Sequence, residues 1–138
     1  MKHSVTTKWE HDFHFISGLD NKSVLFDATS LPGNHTEGVS PKRILLSGLS
    51  GCTGMDVVSL LGKKFKINFS NFSIDVDGEL TETYPKYYNK IQMVYFIKVA
   101  EEDRDKVTEA VQLSITKYCG VYAMFSKAAV ITHEIKFL

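Results

Sequence analysis

Hydrophobic and polar positions alternate, then recur every three to four residues, then alternate again, so strands and helices can be laid out from the pattern alone. Residues 2–9, rich in Thr, Val and Trp, and the Phe13-His14-Phe15 alternation predict two short strands. Turn chemistry at Asp20-Asn21-Lys22 leads into a third, Ser23 to Asp27, giving an antiparallel meander. Thr29 to Val39, with Pro32, Gly33, Asn34 and Gly38, reads as a loop.

Ser40-Pro41 opens a helix, with Ser as N-cap and Pro at the first helical position, where its missing N–H is not needed. The helical pattern continues to about Leu61 and is expected to end at Gly62. Its apolar positions cover most of the circumference, the signature of a central helix. Gly48, Gly51 and Gly54 recur inside it. Each interior glycine costs roughly 0.5–1 kcal/mol relative to alanine, which predicts either close approach of another backbone, from this chain or a second copy, or a kink near Gly51-Cys52.

In the second half, Lys66 to Leu80 alternates with one phase slip and predicts a long strand with a bulge, ending at Asp77-Gly78. Thr81 to Lys90, with Tyr84, Tyr87 and Tyr88 beside Pro85, reads as a loop that either packs or rims a ligand entrance. Gln92 to Val99 is a further strand. Asp103 is expected to cap a helix through Val107, Ala110, Val111, Ser114, Ile115 and Tyr118. A short helix over Val121 to Ala129 and a closing strand from Val130 to Phe137 complete the order. The predicted fold is α+β, a single domain over residues 1–138 with a mainly antiparallel sheet around a central helix.

A chain of 138 residues can bury a core without metal or disulfide support. Sixteen basic residues balance sixteen acidic ones, which argues against a nucleic-acid footprint or a polybasic membrane anchor. The amino terminus lacks an apolar stretch of the signal-peptide kind, and no run of eighteen apolar residues is apparent. A cytoplasmic protein with no membrane or nucleic-acid partner is expected.

Candidate chemistry rests on two cysteines, Cys52 and Cys119, each in an apolar, helix-like context. In a reducing compartment a structural disulfide is unexpected, so two thiols that meet would cycle rather than staple, with a thiolate as the attacking species. The competing reading is two separate core thiols filling space as small hydrophobes. Neither cysteine belongs to a CxxC motif, and spacing alone does not decide. His11 and His14, three apart on one predicted strand, would point to opposite faces and could not share a metal. His35, His133 and the two thiols lack zinc-finger spacing, so no metal site is expected.

The segment Ser40-Pro41-Lys42-Arg43 through Ser50-Gly51-Cys52, followed by Asp56-Val57-Val58, resembles the first-cysteine helix of the OsmC/Ohr superfamily. Lys117-Tyr118-Cys119, Ser126-Lys127-Ala128 and the Ile131-Thr132-His133 ending resemble the region of its second cysteine, most closely in the small YhfA-like branch. The resemblance implies an OsmC-like fold and an intertwined homodimer with two active sites at the interface. It implies a stress-protective thiol peroxidase in which Cys52 attacks an organic hydroperoxide and becomes a sulfenic acid, and Cys119 resolves it to a disulfide. No bound cofactor is implied, only an external dithiol reductant, lipoyl-type in relatives.

The superfamily's active peroxidases pair an arginine from the amino-terminal strands with a glutamate early in the central helix. This chain has only Arg43 and Arg104, and Lys42 stands at the glutamate position. Lys42, Arg43 or Lys8 could supply the cation, with Glu37 as carboxylate partner. Alternatively, Lys42 and Arg43 simply form a solvated first turn. A thiol without a cation reacts less readily. The second functional reading is therefore a non-catalytic protein of this fold that binds a small apolar or electrophilic ligand at the dimer interface.

Overall fold

The computed structural model describes residues 1–28 and 38–138. Most of the loop expected over residues 29–39 lies outside the described residues, as do His35 and Glu37. The chain divides into two compact units, residues 1–45 and 46–138, each with its own three-stranded sheet.

In the first unit β1 (Thr6–His11), β2 (His14–Leu19) and β3 (Lys22–Phe26) form the expected antiparallel meander. The first hairpin is tighter than the pattern suggested. Asp12 and Asp20 turn the chain in left-handed conformations, with φ of 44° and 52°, which short polar side chains tolerate. His11 and His14 therefore sit on opposite strands as cross-strand partners, their rings stacked at 5.2 Å, not on opposite faces of one strand. His14 is buried with Asp27, Nδ1 to Oδ2 3.4 Å. A parallel bridge from Phe26 to Val39 leads towards the helix. Gly38 is required there, because a Cβ would lie 2.6 Å from the Phe26 carbonyl carbon.

Helix α1 (Pro41–Ser59) starts where Ser40-Pro41 predicted, with Ile44 N–H donating to the Ser40 carbonyl. It does not stop at Gly62. The last turn widens into a π-helical segment, Leu60–Lys64, closed by Phe65 N–H donating to the Leu60 carbonyl. Nor is the helix buried all round. A single stripe, Leu49, Thr53 and Val57 continued by Leu61, is buried, whereas Met55 and Val58 stand exposed. Among the described residues of the chain, side chains added at Gly48 and Gly51 would meet nothing within 4 Å, and one at Gly54 would only touch the Ile74 side chain at 3.4 Å. The α-helix runs unbroken through Gly51-Cys52. From Pro41 to Lys64 it is long and apolar enough, by length and composition, to cross a membrane, although no unbroken apolar run spans it. Its buried stripe belongs to the hydrophobic core of the second unit.

The second sheet has the order β4-β5-β6. β4 (Ser70–Leu80) and β5 (Tyr88–Lys98) are antiparallel, with the expected irregularity between Ser70 and Ser73, where Asn71 takes a φ of 51°. β4 continues through Asp77-Gly78, because Gly78 lets the Tyr88 ring lie where a Cβ would be, 2.6 Å from Tyr Cδ1. Tyr88 is thus a buried strand residue, while Tyr84 and Tyr87 are exposed rather than packed. β6 (Val130–Phe137) pairs with β5 in parallel, the one parallel pair among the described strands of an otherwise antiparallel arrangement. The intervening helices provide the crossover that a parallel pair needs. β5 is central and contributes Ile91, Met93, Tyr95 and Ile97 to the core.

α2 (Arg104–Leu113) follows a 3₁₀ turn at Glu101–Asp103 and buries Val107, Ala110 and Val111 as its period predicts. Asp103 occupies the cap position but its side chain does not cap. It accepts from Lys106 Nζ at 3.0 Å instead. α2 widens into a π-helical turn, Ser114–Tyr118, and α3 (Gly120–Ser126) is shorter than the predicted helix.

Candidate functional site

Two helical irregularities bring the thiols together. Cys119 N–H donates to the Ser114 carbonyl at 2.8 Å, a five-residue spacing that widens the end of α2 and turns the chain. Cys119 then becomes the N-cap of α3, extended at φ −75°, ψ 100°, with its Sγ accepting from Tyr122 N–H at 3.3 Å. Opposite it stands Cys52 in the middle of α1. One ligand atom each from Cys52, Cys119 and Asp56 lies within 4.8 Å of the others. Cys119 is buried, and Cys52 and Asp56 are half-buried. The reading of two separate core thiols is therefore set aside by geometry: both are free and face one another.

Asp56 is four residues after Cys52 and so shares its helix face. Its Oδ2 accepts from Ser114 Oγ at 2.9 Å. Ser114 Oγ and Thr53 Oγ1 are 2.8 Å apart, as are Thr53 Oγ1 and the Tyr95 hydroxyl. A carboxylate only accepts, so each proton has one place to go. Ser114 donates to Asp56, Thr53 donates to Ser114, and Tyr95 donates to Thr53. Burial pushes the Tyr95 phenol up to about 12, which keeps it a donor. The four residues form a fully satisfied polar chain in the core, ending at the carboxylate beside the thiols.

The electrostatics work against ionisation of Cys119. Burial, outweighing the Tyr122 N–H bond that favours the thiolate, pushes its thiol up to about 11, and Cys52 and Asp56 add to the rise. Burial and the nearby Cys119 also raise the Tyr122 phenol. Of the proposed cationic supports, Lys8 is exposed on β1, and Lys42 and Arg43 are exposed on the first turn of α1, all within the unit of residues 1–45. Arg104 lies over the Phe137 ring at 4.9 Å. His133 meets Tyr95 edge-on at 6.4 Å and is not one of the three ligand residues.

Sequence reasoning found both thiols but gave Asp56 no role, although the Cys-x-x-x-Asp spacing carried the signal. It read Ser114 as an apolar helix position and passed over Thr53 and Tyr95. Their role depends on contacts 42 and 61 residues apart along the chain, which no local pattern encodes.

Comparison with known proteins gives a consistent result. A family described as OsmC-like protein matches residues 33–134. Protein YhfA of Escherichia coli K12 is 30% identical over 129 residues, covering 92% of each chain. Among solved structures, an OsmC-like protein from Mycoplasma pneumoniae superposes with a TM-score of 0.85 at 17% identity, over 100% of this chain and 98% of that one. A hypothetical protein from Aquifex aeolicus VF5 gives 0.81 at 26% identity, with the same coverage. The organic hydroperoxide resistance protein OhrB of Bacillus subtilis gives 0.68 at 16% identity, over 99% of this chain and 98% of that one.

Proposed function

The chain belongs to the OsmC-like protein family, and from that premise we propose that it is a thiol-dependent peroxidase acting on small organic hydroperoxides in the cytoplasm. The observation that carries the reading is the pairing of two free thiols on separate helices within 4.8 Å. Cys52 is the attacking thiol. Its thiolate displaces the alkoxide of the hydroperoxide, giving Cys52 sulfenic acid and, after protonation, an alcohol. Cys119 attacks that sulfur, expelling water and forming the Cys52–Cys119 disulfide. An external dithiol returns both thiols by exchange. The working form is a homodimer, supported by the apolar flank of α1, where Met55 is 76% and Val58 43% exposed.

A non-catalytic ligand-binding role is favoured by a different observation. The charges that act on Cys119, from Cys52 and Asp56, oppose thiolate formation. Steady-state consumption of cumene hydroperoxide with a dithiol reductant separates the two readings. The peroxidase reading expects turnover faster with cumene hydroperoxide than with hydrogen peroxide and abolished by Cys52→Ser. No turnover above that of Cys52→Ser would leave the binding role.

A further inference from the structure

We propose that Cys52, Cys119 and Asp56 form a three-ligand site for one thiophilic divalent cation of the zinc class, with a fourth coordination position left open. The required closure is small. Zinc–sulfur bonds of about 2.3 Å and zinc–oxygen bonds of about 2.0–2.2 Å place tetrahedral ligand atoms on the order of 3.5–3.8 Å apart, and the three groups here lie within 4.8 Å of one another. The closure is assigned to rotation of the half-buried Cys52 side chain, with Asp56 held by Ser114.

The donor chemistry selects the metal. Two sulfurs and one carboxylate suit zinc, cobalt or cadmium, whereas magnesium and calcium take oxygen ligands. Ligands of metal sites are held by hydrogen bonds behind them, and that support is present. Ser114 fixes Asp56 Oδ2 and is itself held by Thr53, which Tyr95 holds in turn, leaving the other carboxylate oxygen for a metal. Tyr122 N–H orients the Cys119 sulfur. Two thiolates and a carboxylate carry three negative charges, two of which a divalent cation offsets. The proton balance is simple. The cation binds two thiols and one carboxylate, and two thiol protons leave to solvent.

Cobalt(II) titration of the reduced, metal-free full chain under anaerobic conditions tests the site. One equivalent should produce a sulfur-to-cobalt charge-transfer band and visible ligand-field bands of four-coordinate cobalt, both lost on addition of zinc. Cys52→Ser and Cys119→Ser should each remove about half of the charge-transfer intensity. Asp56→Asn, which can still accept from Ser114, should keep that intensity but weaken binding at least 10-fold, the lower end of what even outer-layer changes cost. Asp56→Glu should restore most of the affinity, with circular dichroism confirming that each variant is folded. Absence of the band in the wild type, or equal affinity in Asp56→Asn, would overturn the proposal. Because the readout needs no peroxide, its failure leaves the peroxidase reading standing, and the reverse also holds.

Discussion

Asp56 sets the character of the site at the scale of single residues. It places a carboxyl group within 4.8 Å of two thiols. Burial above all, with Cys52 and Asp56 adding to it, makes Cys119 hold its proton more tightly folded than unfolded. The linkage has a definite sign: stability from this group is present below about pH 9, its ordinary value, and is lost as pH rises towards about 11. Asp56→Asn removes one cause of the shift, so the pH midpoint for alkylation of Cys119, read by peptide-resolved mass spectrometry, should move down. A midpoint unchanged in the variant would deny Asp56 its electrostatic role. Thr53 is the hinge of the polar chain. Thr53→Val leaves the buried Tyr95 hydroxyl without its acceptor and should cost about 1–3 kcal/mol in urea unfolding. The thiols were legible in the sequence because cysteines are few. Thr53, Ser114 and Tyr95 were not, because a hydroxyl in an apolar stripe declares its partner only after the fold has brought that partner close.

At the scale of elements, the predictions that held rest on local chemistry. The Ser40-Pro41 helix start, the closing strand Val130–Phe137 and the bulge at the start of β4 follow from backbone preferences written in a few adjacent residues. The features that no local pattern carried depend on tertiary contacts. The parallel pairing of β6 is a choice of sheet neighbour, and the π-helical widening after Leu113 is a choice of hydrogen-bond partner, Ser114 for Cys119. The second matters for chemistry, since it turns Cys119 from a helix end into a helix cap facing α1. Gly78 shows the same dependence, because its value lies in the Tyr88 ring across the strand pair. Gly78→Ala should force that ring or the strand to shift and cost about 1–3 kcal/mol, measured as a lower urea midpoint with an unchanged slope.

For the whole molecule, the superfamily was legible in the sequence, since two short cysteine-bearing segments carried the resemblance and the family match spans residues 33–134. The sheet arrangement was less legible. Two three-stranded sheets in two units stand where one sheet around a buried helix was expected. Gly48 and Gly51 of α1 have open space beside them among the described residues, and Met55 and Val58 stand exposed; the homodimer reading accounts for both. Met55→Glu would place a charge in that interface and remove a methionine burial of about 1.5–3 kcal/mol. Sedimentation should then show dimer dissociation at concentrations more than tenfold higher than for the wild type. A wild-type protein that sediments as a monomer would contradict this assembly.

The central claim is that Cys52 and Cys119 are one redox couple driven by peroxide. Its most direct test is free-thiol counting and disulfide mapping on the reduced protein after one equivalent of cumene hydroperoxide, with Cys52→Ser and Cys119→Ser in parallel. The account predicts fast loss of both thiols, a Cys52–Cys119 link within one chain, no loss in Cys52→Ser and a trapped sulfenic acid at Cys52 in Cys119→Ser. Thiols that survive the peroxide, or a link formed equally well without Cys52, would contradict it.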